Sequence, residues 1–141
     1  FFFKQKTAYE IKECDWSSDV YSSDLSHFYP VHGCFKPAVK DFDLDGDLDI
    51  VTIAFFADFL NQPQESLLYF ENNKGDFQPY EMPGYDLGRW LTLDAADADG
   101  DGDDDLVIGN LSMGPESFMT QEMVKHFAAG PACMYLENKT R

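Results

Sequence analysis

The chain has 141 residues, a formal net charge of −16 and 16% aromatic residues. That excess of acid opposes any surface built to hold nucleic-acid phosphates, and 44% hydrophobic residues is a globular composition rather than a disordered one. No apolar run approaches the roughly 18 residues of a membrane helix, so no helical membrane insertion is expected.

The first 25 residues stand apart. KQKTAYEI (residues 4–11) and DWSSDVYSSDL (residues 15–25) resemble the translation of a sequencing-library adapter, with Tyr21 as the one mismatch. Residues 1–25 are therefore read as a translated artefact without a fold and set aside, as a tag would be. They hold three lysines and five acids, which leaves −14 for the remaining 116 residues. The expectation is that the natural start, any signal peptide and further upstream domains are missing.

Short strands follow in chain order. Residues 28–32 read as the tail of a strand, and residues 26–33 as the end of an earlier unit. Residues 35–40 partly alternate and lead into an acidic stretch. Residues 50–56 form a continuous apolar run, which suits a strand buried on both faces. Residues 61–64 (NQPQ) mark a loop. Residues 67–71 are a third strand, 72–76 (NNKGD) a turn that tolerates positive φ, and 77–82 a fourth strand. The pattern then restarts. Residues 89–93 lead into a second acidic stretch, 106–110 repeat the second strand, and 134–139 (MYLENK) repeat 68–73 (LYFENN). The second copy is ten residues longer. Its extra segment, 115–130, is expected to hold a helix with Pro115 at N1, a stop at Gly130-Pro131, and Met119, Met123 and Phe127 on one face packing over the sheet. Cys34 and Cys133 could pair in an exported protein but are read as unpaired residues at strand positions; spacing alone does not fix connectivity.

The two acidic stretches are DFDLDGDLD (residues 41–49) and DADGDGDDD (residues 97–105), both fitting DxDxDGxxD, with first aspartates 56 positions apart. So many carboxylates on one tight loop repel each other unless a cation sits among them. Calcium takes six to eight hard oxygen ligands. Alternate positions offer Asp41, Asp43 and Asp45, Gly46 permits the sharp turn, Asp47 offers its backbone carbonyl, and Asp49 closes the set. The second copy places Asp97, Asp99, Asp101, Asp103 and Asp105 equivalently. Two Ca2+ sites are expected. Zinc and copper prefer His or Cys donors, and magnesium rarely uses a dedicated protein cage. An EF-hand is excluded because position 12 is Thr52 or Ile108 rather than a bidentate Glu.

The strings VKDFDLDGDLDIV, AADADGDGDDDLVIGN, LYFENNKGDF and MYLENK together resemble FG-GAP repeats, also called VCBS repeats, of the integrin-α-like β-propeller. The resemblance implies an all-β fold in which each blade has four antiparallel strands and the calcium loop joins the first strand to the second. It implies a partial propeller of about two blades, residues 34–88 and 89–141, the second with the helical insertion and ending after its third strand. Further blades are expected upstream, because such propellers close with 4–8 of them. The family's FxxAP element is not evident here.

The resemblance further implies an extracellular, cell-surface or periplasmic protein that binds a protein or glycan partner and uses calcium structurally. Some polysaccharide lyases are built on similar propellers, so a fragment of a propeller enzyme is the alternative. Catalytic candidates are few: His32, His126, Tyr85, Arg89 and Lys125. They form no recognisable constellation, and GxSxG and HExxH are absent. No catalytic residue is assigned. His126 is expected on the surface, and His32 is expected to be structural.

Overall fold

The computed structural model of the chain describes residues 31–113 and 119–140. The segment read as artefact (1–25), most of the strand expected over 28–32, and Pro115 lie outside these residues.

Among the described residues, seven strands build two antiparallel sheets. The first has the order β1 (Cys34–Lys40), β2 (Asp49–Ala54), β3 (Leu67–Asn73), β4 (Asp76–Glu81). The second has the order β5 (Trp90–Ala96), β6 (Asp105–Asn110), β7 (Cys133–Leu136). Among the described residues the second sheet thus has three strands, with β7 in the place of β3. β-Branched and apolar residues dominate β2, and Val51 through Ala54 are all buried, as a strand covered on both faces requires. β3 and β4 are joined by Lys74-Gly75, both at positive φ, the backbone of a tight two-residue hairpin.

The two sheets repeat each other in register. Lys40 pairs with Asp49 and Ala96 with Asp105; Ile50 pairs with Phe70 and Leu106 with Leu136. Even the irregularity recurs, between Cys34 and Lys36 in one sheet and between Trp90 and Thr92 in the other. The β1–β2 and β5–β6 connections are the two acidic loops.

One core lies between the sheets, built from Phe42, Val51, Ile53, Leu67, Trp90, Leu93, Leu106 and Ile108. Removing one such side chain from water contributes about 1.5–3 kcal/mol. Two polar links reinforce this junction: Lys40 Nζ donates to Asp104 Oδ1 at 3.1 Å, and Asn138 Nδ2 donates to the Phe42 carbonyl at 2.7 Å.

A second cluster gathers Ala54, Ala57, Phe59, Met119 and Phe127 under α1 (Gln121–Ala129). Met123 packs against it, so the expected packing face is the observed one. The described helix begins at Gln121, with Thr120 Oγ1 accepting from the Met123 N–H at 3.2 Å. Gly130 ends it in extended backbone at φ −70°, not in the left-handed form usual for a glycine stop. Glycine is needed there because a Cβ would run into the Leu87 carbonyl.

The run expected as strand through residue 56 stops at Ala54, because Phe55 serves another element. Arg89, weighed above as a catalytic candidate, is fully buried immediately before β5. Its Nε donates to the Phe55 carbonyl at 2.9 Å, one terminal nitrogen donates to Met113 O at 2.8 Å, and the guanidinium lies 3.7 Å over the Phe55 ring. It pins the 55–56 turn to the second sheet. His32 is likewise structural: its backbone N and ring Nδ1 both meet Glu65 Oε2, at 3.2 and 3.0 Å. His126 is exposed, with Nε2 2.9 Å from the Asp86 carbonyl. Both thiols are free, Cys34 Sγ lying 2.9 Å from Thr52 Oγ1.

Candidate metal centre

Each acidic loop is shaped by its own aspartates. In the first, Asp43 Oδ1 accepts from the Asp45 N–H at 3.1 Å, Asp45 Oδ1 from Asp47 N at 2.8 Å, and Asp41 Oδ2 from Gly46 N at 3.1 Å. The second repeats all three: Asp99 with Asp101 N at 3.1 Å, Asp101 with Asp103 N at 3.3 Å, and Asp97 with Gly102 N at 3.2 Å. Side chains that bond the backbone two residues on curl the chain around its carboxylates. Gly46 and Gly102 sit at φ +100° and +102° with open space about them, so their requirement is conformational rather than steric.

The result is convergence. Asp41, Asp43 and Asp45 bring one carboxylate oxygen each within 4.8 Å of one another, and so do Asp97, Asp99 and Asp105. Asp49 and Asp105 occupy the loop bases, both buried. Each is clamped by three donors in matching geometry. Asp49 Oδ2 takes Phe42 N at 3.0 Å and the Tyr69 hydroxyl at 2.9 Å, while Oδ1 takes Asn72 N at 2.8 Å. Asp105 Oδ2 takes Ala98 N at 3.1 Å and the Tyr135 hydroxyl at 2.8 Å, while Oδ1 takes Asn138 N at 2.9 Å. A carboxylate has about four acceptor positions; one remains on Asp49, while the Asp99 N–H also bears on Asp105. Asp47 and Asp103 differ. Asp47 Oδ2 accepts from Lys74 N at 2.9 Å, but neither oxygen of Asp103, which is 2% exposed, meets an N–H or O–H donor. Asp41 Oδ1 is also buried without such a donor.

Electrostatics mark the same groups. Desolvation, and then the neighbouring aspartates, raise the carboxyls of Asp43 and Asp99 above their ordinary value. Asp103 is raised for the same reason, with the Asp101 charge next in weight. Asp105 runs the other way: the Asn138 N–H above all, and the Tyr135 hydroxyl, hold its carboxyl low. That bond in turn pushes Tyr135 up to about 12. Tyr69 is raised too, by burial first and then by its bond to Asp49.

The ten aspartates read from the sequence thus lie in two matching loops. What the sequence reading did not assign is the pair of clamps, Tyr69 with Asn72 and Tyr135 with Asn138. Their signal was present: the YFEN and YLEN strings repeat with the loops, and a repeated polar residue on a strand beside an acidic loop is a hydrogen-bond candidate.

Two antiparallel sheets that repeat in register, each opened by the same acidic loop, define a repeat protein of the β-propeller type. Residues 41–108 match the family model described as FG-GAP-like repeat, from the first acidic loop to β6. The two sheets are blades of a partial propeller. No curated protein and no solved structure matches the chain.

Proposed function

We propose that each loop binds one calcium ion and that the chain is a calcium-stabilised recognition module of an extracellular β-propeller. The observation that carries this reading is the convergence of three carboxylate oxygens in each of the two loops, sharing the first and third positions, together with the buried Asp103 carboxylate that no N–H donor reaches. The donor set is all hard oxygen, which suits calcium over zinc or copper. Asp41, Asp43 and Asp45 would hold the first ion, with the Asp47 carbonyl and the remaining acceptor position of Asp49. Asp97, Asp99, Asp101 and Asp105 would hold the second, with Asp103. A bound calcium would supply the positive charge that cancels repulsion among these side chains. The chain's own part is to present them: Asx bonds curl the loops, and the tyrosine–asparagine clamps fix the loop bases to the third strand of each blade.

FG-GAP propellers are typically extracellular, where calcium is abundant, and no helix among the described residues is long and apolar enough to cross a membrane. A protein or glycan partner would be met by propeller loops. The net charge of −16 favours partners other than nucleic acid.

Titration of calcium into the metal-stripped chain by calorimetry tests the metal reading. Two ions per chain are expected, with a raised melting temperature; at a hundredfold excess over Kd each site adds about 2.7 kcal/mol. Asp45→Ala and Asp101→Ala are each expected to abolish one site. No heat and no thermal shift at millimolar calcium would overturn the reading. A glycan array and pull-down with the full-length protein tests the recognition role: enrichment of one defined ligand supports it, and turnover of a polysaccharide replaces it with an enzyme.

A further inference from the structure

The two loops repeat the same three aspartate–backbone hydrogen bonds, which makes the different surroundings of their seventh-position aspartates informative. At the seventh position, Asp47 in the first loop accepts a hydrogen bond from the Lys74 N–H at 2.9 Å and is partly exposed. Its counterpart Asp103 is 2% exposed, no N–H donor reaches either of its oxygens, and the group beside it is the Asp101 carboxylate, a like charge. The chain explains the divergence. Lys74 belongs to the β3–β4 hairpin, whose turn brings its N–H back to the first loop. Thr140, two residues beyond Asn138 as Lys74 is beyond Asn72, turns its N–H to Asn138 Oδ1 instead, at 3.2 Å. The second loop therefore keeps a desolvated carboxylate that the first has spent on its own fold.

A buried carboxylate with no donor is costly to hold. A cation placed against it removes that cost, and calcium affinity rises with the number of ligating charges. We infer that the two calcium sites are unequal, and that the loop at residues 97–105 is the tighter one because the Asp103 side chain joins its ligand set. This rests on the calcium reading above. Two features work against the ranking and are outweighed. Lys40 places its ammonium on Asp104 at 3.1 Å, beside the second loop, and the first loop keeps one donor-free oxygen, Asp41 Oδ1, on a side chain that is only partly buried. A further difference favours the same loop: its fourth position is Gly100 at φ +84°, whereas the first loop strains Leu44 into φ +61°.

The test compares single-site proteins by calcium calorimetry at one ionic strength. Asp45→Ala leaves only the second loop, and Asp101→Ala leaves only the first. The second-loop protein is expected to bind calcium about tenfold or more tightly than the first-loop protein. In the otherwise native chain, Asp103→Asn is expected to weaken the tight phase about tenfold, while Asp47→Asn leaves both phases within about threefold. Equal affinities, the reverse order, or an Asp103→Asn protein that keeps its tight phase would overturn the inference while leaving calcium binding intact. Calcium uptake by neither single-site protein, nor by the native chain, would overturn the calcium reading itself.

Discussion

Asn138 Nδ2 donates to the Phe42 carbonyl at 2.7 Å, across 96 residues of chain. The same residue gives its backbone N–H to Asp105 at 2.9 Å. One asparagine thereby anchors the base of the second acidic loop and holds the start of the first, so the two blades meet at a point that also shapes both candidate metal sites.

Asn138→Ala should destabilise the chain by about 1–3 kcal/mol, since it strips a donor from a part-buried carbonyl. Asn72→Ala is the control: Asn72 bonds only within its own blade, to Leu48 O and from Gly75 N. The larger loss is expected for Asn138, read from urea midpoints of the two variants. Equal losses would show that the bond between blades contributes nothing beyond its local counterpart.

Tyr69→Phe and Tyr135→Phe each remove one of three donors from a buried aspartate, at an expected cost of about 1–3 kcal/mol. Spectrophotometric titration gives a second readout. Tyr135 is pushed up to about 12 by its bond to Asp105, so it should ionise later than an unperturbed tyrosine at about 10. Its late phase should vanish in Tyr135→Phe and persist in Tyr69→Phe.

Leu44→Gly should stabilise the metal-free chain by about 0.5–1 kcal/mol. Leu44 is half exposed at φ +61°, so little contact is lost and backbone strain is relieved, less the added freedom of glycine in the unfolded state. The urea midpoint should rise at an unchanged m value. A fall would mean that the leucine side chain makes contacts worth more than its strain.

The pH dependence of the metal-free chain follows from the carboxyls. Asp43, Asp99 and Asp103 are held above their ordinary 3.8, so the folded chain binds their protons more tightly than the unfolded chain does. Their contribution makes the fold more stable as pH falls from about 7 toward 4. Asp105 is held below 3.8; its stabilisation is complete above that value and disappears as pH falls through its folded pKa. With chelator present, the melting temperature should rise on mild acidification and fall below about pH 3.8. With saturating calcium the mild-acid rise should vanish. A melting temperature that drops steadily from neutral pH in chelator would contradict this.

Much of the fold was legible because its signals are local. Alternation and apolar runs placed strands of the first sheet, repetition of their strings placed those of the second, and the DxDxDG spacing placed both loops. Long-range partnerships were not legible. Arg89 resembles a candidate acid–base group in sequence, yet its role as a buried latch depends on Phe55, 34 residues away. The strand ending at Ala54 rather than at residue 56 follows from that same contact. The stop expected at Gly130-Pro131 is where the helix ends, but the reason for the glycine is that Leu87 passes too close for a Cβ. Asp47 and Asp103 are identical in type and position in the motif; only the differing paths of Lys74 and Thr140 separate them.

The offset between equivalent strands is 56 residues from β1 to β5 but 66 from β3 to β7, while pairing at the acidic loops is unchanged. Ten added residues, α1 among them, have been absorbed at the far ends of β6 and β7 without disturbing anything at the opposite ends. The repeat therefore separates a fixed pole from a permissive one. Length is thus accommodated away from the aspartates, and a connection as long as the one from Asn110 to Cys133 leaves the spacing of the second loop as it is in the first.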